Sequence, residues 1–570
     1  MSDLIVAAWP PGRDAPYTVE ALGHAALALA PPGLKPYPPL LKSADGFALA
    51  VANPVQGGVR VESSGVCLGA VIGDSSGWAS VGAPAPDGTY AMCRFGEHQV
   101  ELLSDTLATR TIWYVHTPDL FLASTSQRAI VRLLGDFKPN EEAVAWMITS
   151  GTTGVDCSWD VRLKRLPADS RLTLERATGR LRVVETPVVF EPAPGGPREH
   201  VQRLREAIEW SCSHMAIDPT RWLLPLSGGS DSRVILAFMA KHGIAPRTIT
   251  WTTRASLRQP LSDAQVAVLL ARRFGVAHEF RYLDFAAEAP REVLGRFVAA
   301  AEGRVAHFAG YVDGMNLWRE LFEAGVQGVV RGDESCGVRR RAASEEGARR
   351  ACEQAVVADY PESHLIRRLG LAEQLWPERL RLQGDEGFES YRDRMEQQVY
   401  EAAILAPLNA AKCRYVEVVN PLQTKRVITV VRALPDELRM YGRAFLDVVG
   451  SQTRPIPYAR FSSVPAESAY LHHPAYVVEM VREVSSHAAG RVLPEAGVEE
   501  LLAAAACHAE GAPPIGKRAL RLMKAALPAR LAHRLKGRYE GPEPLPVLRV
   551  LFRTYVASRA LAMFESEAAS

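Results

Sequence analysis

Three serines and an aspartate, Ser227, Ser230, Ser232 and Asp231, fall within six residues that also contain Gly228 and Gly229. The order Ser227-Gly228-Gly229-Ser230-Asp231-Ser232 follows an apolar run ending at Leu226. It precedes Arg233 and a second apolar run, Val234–Ala240. This is the pattern of a buried strand entering a tight turn and then a helix. Such a turn aims several backbone N–H groups at one point, at the positive end of a helix dipole, and so makes an anion site, most naturally for phosphate. The glycines let the backbone come close. The hydroxyls add donors, and Asp231 can hold a magnesium ion that bridges phosphate oxygens. The Walker pattern GxxxxGK[ST] is absent from this turn. A serine-rich turn behind a core strand is the other reading these residues allow.

A second carboxylate-bearing turn, Arg331-Gly332-Asp333-Glu334-Ser335, follows the short apolar run Gly328–Val330. A carboxylate at the C-terminal end of a sheet strand lies on the edge where α/β folds bind ligands. Asp333 is therefore expected to face the same crevice as Asp231. Two aspartates converging on a triphosphate suit Mg²⁺, which takes a few carboxylates together with phosphate oxygens. The plainer alternative is that Asp333 and Glu334 cap a turn.

Elements that could hold these turns are visible on both sides. Glu199–Cys212 reads as a helix, and Trp222–Leu226 and Arg247–Trp251 as strands. Ser262-Asp263-Ala264-Gln265 reads as a capping box that opens the helix Val266–Phe274. Val276–Tyr282 and Gly328–Val330 are further strands, and the chain reads as mostly helical beyond about residue 340. Alternating helix and strand argue for an α/β domain with a mostly parallel sheet. Residues 1–190 look different. Val59–Val61, Thr89–Arg94, Val100–Leu103, Ile112–Val115 and Leu120–Ala123 are short strands between Gly, Pro and Asp turns. Arg171–Glu175 and Leu181–Val184 make a hairpin. Helices are expected at Gln127–Leu134 and Glu141–Ser150. Pro192–Pro197 reads as a linker. The expected division is a β-rich domain over 1–190, a linker over 191–198 and an α/β domain over 199–570.

The 570 residues are enough for two or three full cores. A hydrophobic share of 47% and a net charge of +2 are ordinary for a soluble protein and give no case for nucleic acid or membrane. None of the eight cysteines forms a CxxC pair, which argues against a zinc ribbon or a thiol-redox motif and fits a reduced, cytoplasmic setting. The start of the chain lacks a basic n-region, and the apolar run Ala25–Ala30 is too short to span a bilayer. Lys517 to Arg538 is basic and free of acids. It reads as a solvated helix face or, alternatively, as a hold for phosphate or an acidic peptide.

The turn Ser227–Ser232 resembles the SGGxDS pyrophosphate loop of ATP pyrophosphatases, which split ATP between its α- and β-phosphates to make an adenylated intermediate. Together with Gly332-Asp333-Glu334 it resembles the synthetase domain of the asparagine synthetase family, although Val330 stands where the family's first loop glycine falls. Glu417–Val427 is similar to that family's E-x-R-x-PFLD segment, and Arg432-Ala433-Leu434-Pro435 to its SLP. The stretch Leu261–Phe280, with Asp263 and His278, is similar too. Leu103–Arg110 with Trp113-Tyr114 resembles RDPLGxRPLYY of the family's glutaminase domain, and Ser124–Ile130 the helix start that follows. The implied fold is α/β: a β-rich, Ntn-hydrolase-like sandwich, then a parallel-sheet, adenine nucleotide α-hydrolase-like domain with a helical C-terminal region.

The resemblance implies ATP and Mg²⁺ as cofactors. Leu226, Ser227, Gly228, Gly229, Ser230, Asp231, Ser232, Thr250, Trp251 and Gly332 would bind nucleotide, Asp231 and Asp333 the metal, and the loop from Trp251 to Ser256 adenine or ribose. Tyr441–Asp447 is similar to a K-x-x-L-R segment and puts Arg443 at the catalytic lysine, with Arg454 and Arg460 nearby. Arg443 is then catalytic alongside Asp231 and Asp333, but an arginine cannot act as a base. Family glutaminases use a terminal cysteine. Here Ser2 stands in its place, and glutamine-binding NGE or RGPD segments are absent, so a retained fold without ammonia production is expected. The members this fits are lasso-peptide cyclases, which close a macrolactam on a precursor peptide, often beside a leader-peptide protease or recognition protein. Loop residue Arg233 and the large helical region favour that group over β-lactam synthetases or an ammonia-fed asparagine synthetase. A tRNA-modifying ATP pyrophosphatase, and a degenerate peptide-binding scaffold without activity, are alternatives from other classes.

Overall fold

The computed structural model describes residues 2–283, 289–337, 341–351, 364–464, 466–509 and 546–570. In chain order the strands are β1 (Asp3–Ala8), β2 (Leu40–Ala44), β3 (Phe47–Ala52), β4 (Val59–Glu62), β5 (Gly65–Val71) and β6 (Gly88–Phe95). There follow β7 (Gln99–Ser104), β8 (Trp113–His116), β9 (Phe121–Ser124), β10 (Lys164–Arg165), β11 (Ser170–Glu175) and β12 (Leu181–Glu185). The last five are β13 (Trp222–Pro225), β14 (Arg247–Thr252), β15 (His278–Tyr282), β16 (Gly328–Val330) and β17 (Glu417–Val419).

The first twelve strands form two antiparallel sheets, ordered β10-β8-β9-β1-β3-β2 and β12-β11-β7-β6-β5-β4. Side chains alternate across a strand, and the core follows that alternation. Leu4, Val6, Leu49 and Val51 meet Leu68, Ala91, Leu102 and Leu172 of the other sheet. Ile5, Ala7, Ala48 and Ala50 lie on the opposite face, under Leu22 of the helix Val19–Ala28 and Ile130 of the helix Gln127–Leu134. β1 and β3 are thus apolar on both faces. They carry no polar alternation, which is why the sequence reading passes over them.

The last five strands form a fully parallel sheet, ordered β15-β14-β13-β16-β17. β17 is an addition to the sequence reading, set inside a stretch that reads as helical. Leu223 packs to one side with Ile249, Val329 and Phe297, while Trp222 and Leu224 pack to the other with Ile208, Ile235 and Phe238. From β13 the chain moves outward to β14 and β15, then returns to place β16 on β13's other side. The strand order therefore reverses at β13, between the ends of β13 and β16, the place where open α/β sheets form a ligand crevice.

The long helix Val547–Ala568 runs across the molecule. It packs on the helices Gln127–Leu134 and Glu141–Ser150 of the first half and on Pro474–His487 and Glu495–Ala509 of the second. Its Glu567 pairs with Arg128 and Arg132, and its Phe564 stacks on Phe137. The expected linker runs along the second half, with Glu191 N–H bonded to the Arg432 carbonyl and Ala193 N–H to that of Ala433. The basic stretch Lys517–Arg538 lies outside the described residues. Among the described residues, no helix is long and apolar enough to cross a membrane.

Candidate functional site

The turn after β13 is held from behind by Arg233. This side chain is completely buried, and its guanidinium donates to four carbonyls: Nε to Gly229 (3.1 Å), Nη2 to Gly228 (3.2 Å) and Pro457 (2.6 Å), and Nη1 to Ile456 (2.8 Å). Its plane lies over the Tyr458 ring, 4.2 Å from the centroid. Ala459 N–H adds a second bond to the Gly228 carbonyl. A peptide unit is planar, so fixing these carbonyls also fixes the directions of the N–H groups of the turn. Gly228 is required by this packing: a Cβ there would lie 2.3 Å from the Ala459 Cβ.

Inside the turn, Ser227 N–H donates to Ser232 Oγ (3.0 Å) and Gly229 N–H to Ser227 Oγ (3.2 Å). Gly228 N–H donates to Asp263 Oδ1 (3.1 Å), and Asp263 Oδ2 accepts from Ser463 N–H (3.2 Å). Ser230 begins the helix Asp231–Lys241 without a side-chain cap, which places the turn at the positive end of the helix dipole.

Gly332 brings the second turn directly onto the first. A Cβ on Gly332 would lie 2.8 Å from the Asp231 Cβ. Asp231 Oδ1 accepts from Ser230 Oγ (2.8 Å) and Oδ2 from Glu334 N–H (3.4 Å). The two turns thus abut, and the surroundings of Asp231 and Asp333 differ. Arg331 grips Asp333 with two bonds, Nη2 to Oδ1 (2.7 Å) and Nε to Oδ2 (3.3 Å). Burial pushes the Asp333 carboxyl up, yet Arg331 and Lys412 together outweigh it and hold the group below the usual carboxylate range. Lys412 is buried on the helix Ala406–Cys413, with Nζ bonded to Asn409 Oδ1 (2.9 Å). Burial, and then the charge of Arg331, bring its pKa down to about 7 despite the attraction of Asp333. Asn420 Nδ2 donates to the Asp333 carbonyl (3.0 Å).

The donor set fits Mg²⁺ arriving with ATP. Asp231 offers a carboxylate bonded to Ser230 Oγ and Glu334 N–H, and the Asp333 carboxylate is paired with the Arg331 guanidinium. Among the described residues no group of three or more His, Cys, Asp or Glu is placed to hold a metal ion alone. Phosphate oxygens plus the Asp231 carboxylate are the ligands this crevice can supply, in keeping with the few-carboxylate habit of Mg²⁺.

Several sequence-assigned residues make structural contacts. Thr250 Oγ1 bonds to the Leu226 carbonyl and ties β14 to the base of the turn. The half-buried Trp251 indole packs edge-on against Trp318 (5.5 Å) at the margin of the core. Leu226 is a core residue. Arg443 is exposed at the start of the helix Arg443–Thr453, outside the hydrogen bonds and ion pairs of the two turns. Arg454 and Arg460 are also exposed, although the Arg460 N–H reaches the Leu261 carbonyl.

Sequence reasoning missed Arg331, Lys412 and Glu401. Glu401 sits on a π-helical segment, Glu396–Leu405, a deformation frequent at functional sites. Its Oε1 accepts from Ser335 Oγ (2.6 Å), and burial raises its pKa to about 8. The available signal for Arg331 was its place two residues before Asp333, which puts both side chains on one side of an extended chain.

Ser2 is buried. Its N–H donates to the Cys413 carbonyl (3.2 Å), its hydroxyl donates to the Asn53 carbonyl (3.3 Å) and accepts from Val55 N–H (3.4 Å), and its own carbonyl accepts from Arg110 Nη1 (3.0 Å). A terminal nucleophile needs a free amine to take its proton and room for glutamine. Here the Ser2 hydroxyl and N–H are both engaged with backbone groups. The purified protein is expected to release no glutamate from glutamine, with or without ATP. Glutamate release that disappears in Ser2→Ala would overturn this.

Neither a family model nor a curated protein matches the chain. Among solved structures it is similar to NMN synthetase from Francisella tularensis, at 20% identity over 25% of this chain and 57% of that one, with a TM-score of 0.17. The chain thus spans little over half the length of that enzyme. It is also similar to the allosteric regulatory enzyme of purine biosynthesis (10% identity, 49% of this chain and 80% of that one, TM-score 0.21). A third is the glutamine phosphoribosylpyrophosphate amidotransferase from B. subtilis complexed with ADP and GMP (11% identity, 57% and 80%, TM-score 0.19). Likenesses at these scores carry no argument about activity.

Proposed function

We propose that the protein is an ATP-dependent amide-bond-forming synthetase that adenylates a carboxylate and couples it to an amine. The observation that carries this reading is the paired turns at the strand-order reversal: a glycine-serine turn with its carbonyls fixed by Arg233, abutting Gly332-Asp333 at the end of the next strand. A phosphate chain lying across both turns would meet the helix N-terminus and the serine hydroxyls on one side, and Arg331 with Lys412 on the other.

In the first step an oxygen of the substrate carboxylate attacks the α-phosphorus of ATP, and the bond to the β-phosphate oxygen breaks. Acyl-AMP and pyrophosphate form. The serine turn binds the leaving pyrophosphate, and Arg331, with Lys412 where it is protonated, supplies positive charge near it. Magnesium bound with ATP neutralises phosphate charge and would be held by Asp231. In the second step the amine attacks the acyl carbon, the acyl–oxygen bond breaks, AMP leaves, and the amine loses a proton. Holding both partners together offsets up to about 7–11 kcal/mol of entropy for well-aligned groups.

For the product we propose a macrolactam closed within a ribosomal precursor peptide, between its N-terminal amine and an internal Asp or Glu. Serine in place of a cysteine at position 2 supports an amine delivered by the substrate itself. The test is mass spectrometry of a leader-free precursor peptide incubated with the protein and Mg-ATP over a pH series. The expected result is loss of one water from the peptide, with AMP formed in step. The rate should rise across about pH 7–8, because an α-amino group with a pKa of roughly 7.7–8.0 attacks only when neutral. ADP in place of AMP would rule out adenylation. AMP with an intermolecular amide, or with a β-lactam, would keep the chemistry and overturn the macrolactam.

A further inference from the structure

We propose that the N-terminal half is a positioning support for the nucleotide crevice, with Arg110 as the positioning residue that sets Lys412 and Asn420 against Asp333. This rests on the synthetase reading above. The two groups in question flank β17: Lys412 ends the preceding helix, and Asn420 follows the strand directly. On their other side, this same stretch is gripped by the start of the chain.

Arg110 Nη2 bonds to Cys413 Sγ (3.2 Å) and to Glu417, while Nη1 holds the Ser2 carbonyl (3.0 Å). Ser2 N–H closes the loop on the Cys413 carbonyl. Arg414, the next residue, pairs with Asp3 (2.8 Å) and Glu302 (2.7 Å). Each of these residues is less than one-tenth exposed. Glu417 Oε1 also accepts from Val418 N–H (2.8 Å), which fixes the first turn of the strand path toward Asn420.

Buried ion pairs are a poor source of stability compared with apolar packing, but they can specify one arrangement among several. Here two successive residues, Cys413 and Arg414, are fixed against the N-terminal strand. Adjacent residues on a helix point about 100° apart, so fixing these two also sets the direction of Lys412. β17 is registered on β16, Val329 opposite Val418, and Arg331 N–H bonds to the Val419 carbonyl, so the hold on Glu417 is passed to the Asp333 turn through backbone pairing.

The test compares full-length wild type with Arg110→Met and with the pair Arg110→Met/Glu417→Met, which removes both charges and so avoids leaving one buried alone. Fold is followed by thermal unfolding. Nucleotide binding is followed by calorimetry with Mg-α,β-methylene-ATP, and turnover as AMP formation from the peptide of the preceding test. The expected result is a paired variant with near wild-type melting, Kd for the analogue and KM for ATP, but kcat lowered at least tenfold. A paired variant that folds, binds the analogue and keeps wild-type kcat would overturn the positioning role. So would one that loses melting temperature in proportion to activity, since that marks a structural part only. Wild type that neither binds the analogue nor forms AMP would remove the synthetase reading itself, and this inference with it.

Discussion

Asp231→Ala is expected to lower substrate-dependent ATP–pyrophosphate exchange by about a thousandfold, equivalent to roughly 4 kcal/mol in the transition state, with the fold retained. Two functions of this carboxylate are separable. It bonds to Ser230 Oγ of its own turn and to Glu334 N–H of the other, and under the proposed function it would donate an anionic oxygen to a phosphate-bound Mg²⁺. Asp231→Asn keeps the shape and one acceptor oxygen but loses the charge. If the metal role dominates, Asn is as inactive as Ala. If the tie dominates, Asn recovers most of the exchange. Near-normal exchange in both variants would remove Asp231 from the mechanism. Asp333→Ala is a less clean probe, because it leaves Arg331 and buried Lys412 without their counter-charge and so adds a stability penalty to any kinetic one.

The parts of this architecture that could be read in the sequence are those with local signatures. The turn Ser227–Ser232 stands between an apolar strand and an apolar helix, and Ser262 caps its helix by accepting from Gln265 N–H as the S-x-x-Q pattern requires. The parallel sheet follows from helix and strand in alternation. What escaped had no local signature. Asp3–Ala8 and Phe47–Ala52 are buried on both faces, so they read as plain apolar runs. Glu417–Val419 is three residues long and became a strand because β16 offered an edge.

The same division holds at the site. The two turns were legible as carboxylate and hydroxyl clusters. Lys412, in the run Ala410-Ala411-Lys412-Cys413, carries no pattern, and its meaning comes from burial beside Arg331 and Asp333. Arg331 is the residue whose contact with Asp333 the sequence did not announce, a two-oxygen ion pair that lowers the carboxyl's pKa. Trp251 lies on a strand end as expected, but the side it presents to the core was fixed by Trp318, a residue distant in sequence. Arg443 was placed by similarity of a short segment, and helix geometry then left it at the surface.

Arg233→Met is expected to weaken nucleotide binding by about tenfold to a hundredfold, because it removes the donor that shapes the phosphate turn. The side chain is apolar along its length and wholly buried, so methionine fills much of its volume and the helix Asp231–Lys241 should persist. What is lost is the fork. The carbonyls of Gly229, Ile456 and Pro457 lose their guanidinium donor, while Gly228 retains the Ala459 N–H. A buried acceptor left without a donor costs about 1–3 kcal/mol, and such costs are not additive where the chain can shift to meet water. The turn should therefore relax and re-aim its N–H groups, and affinity should fall further than the melting temperature does. Arg233→Lys retains the charge but has a single ammonium in place of a planar fork, and cannot serve all four carbonyls at once. It should fall between wild type and Met. Calorimetry with Mg-α,β-methylene-ATP alongside thermal unfolding gives both quantities. Wild-type affinity in Arg233→Met would mean that the turn holds its shape unaided. Unchanged melting with lost affinity would place the guanidinium's role in orienting the phosphate site, as the four carbonyl bonds require.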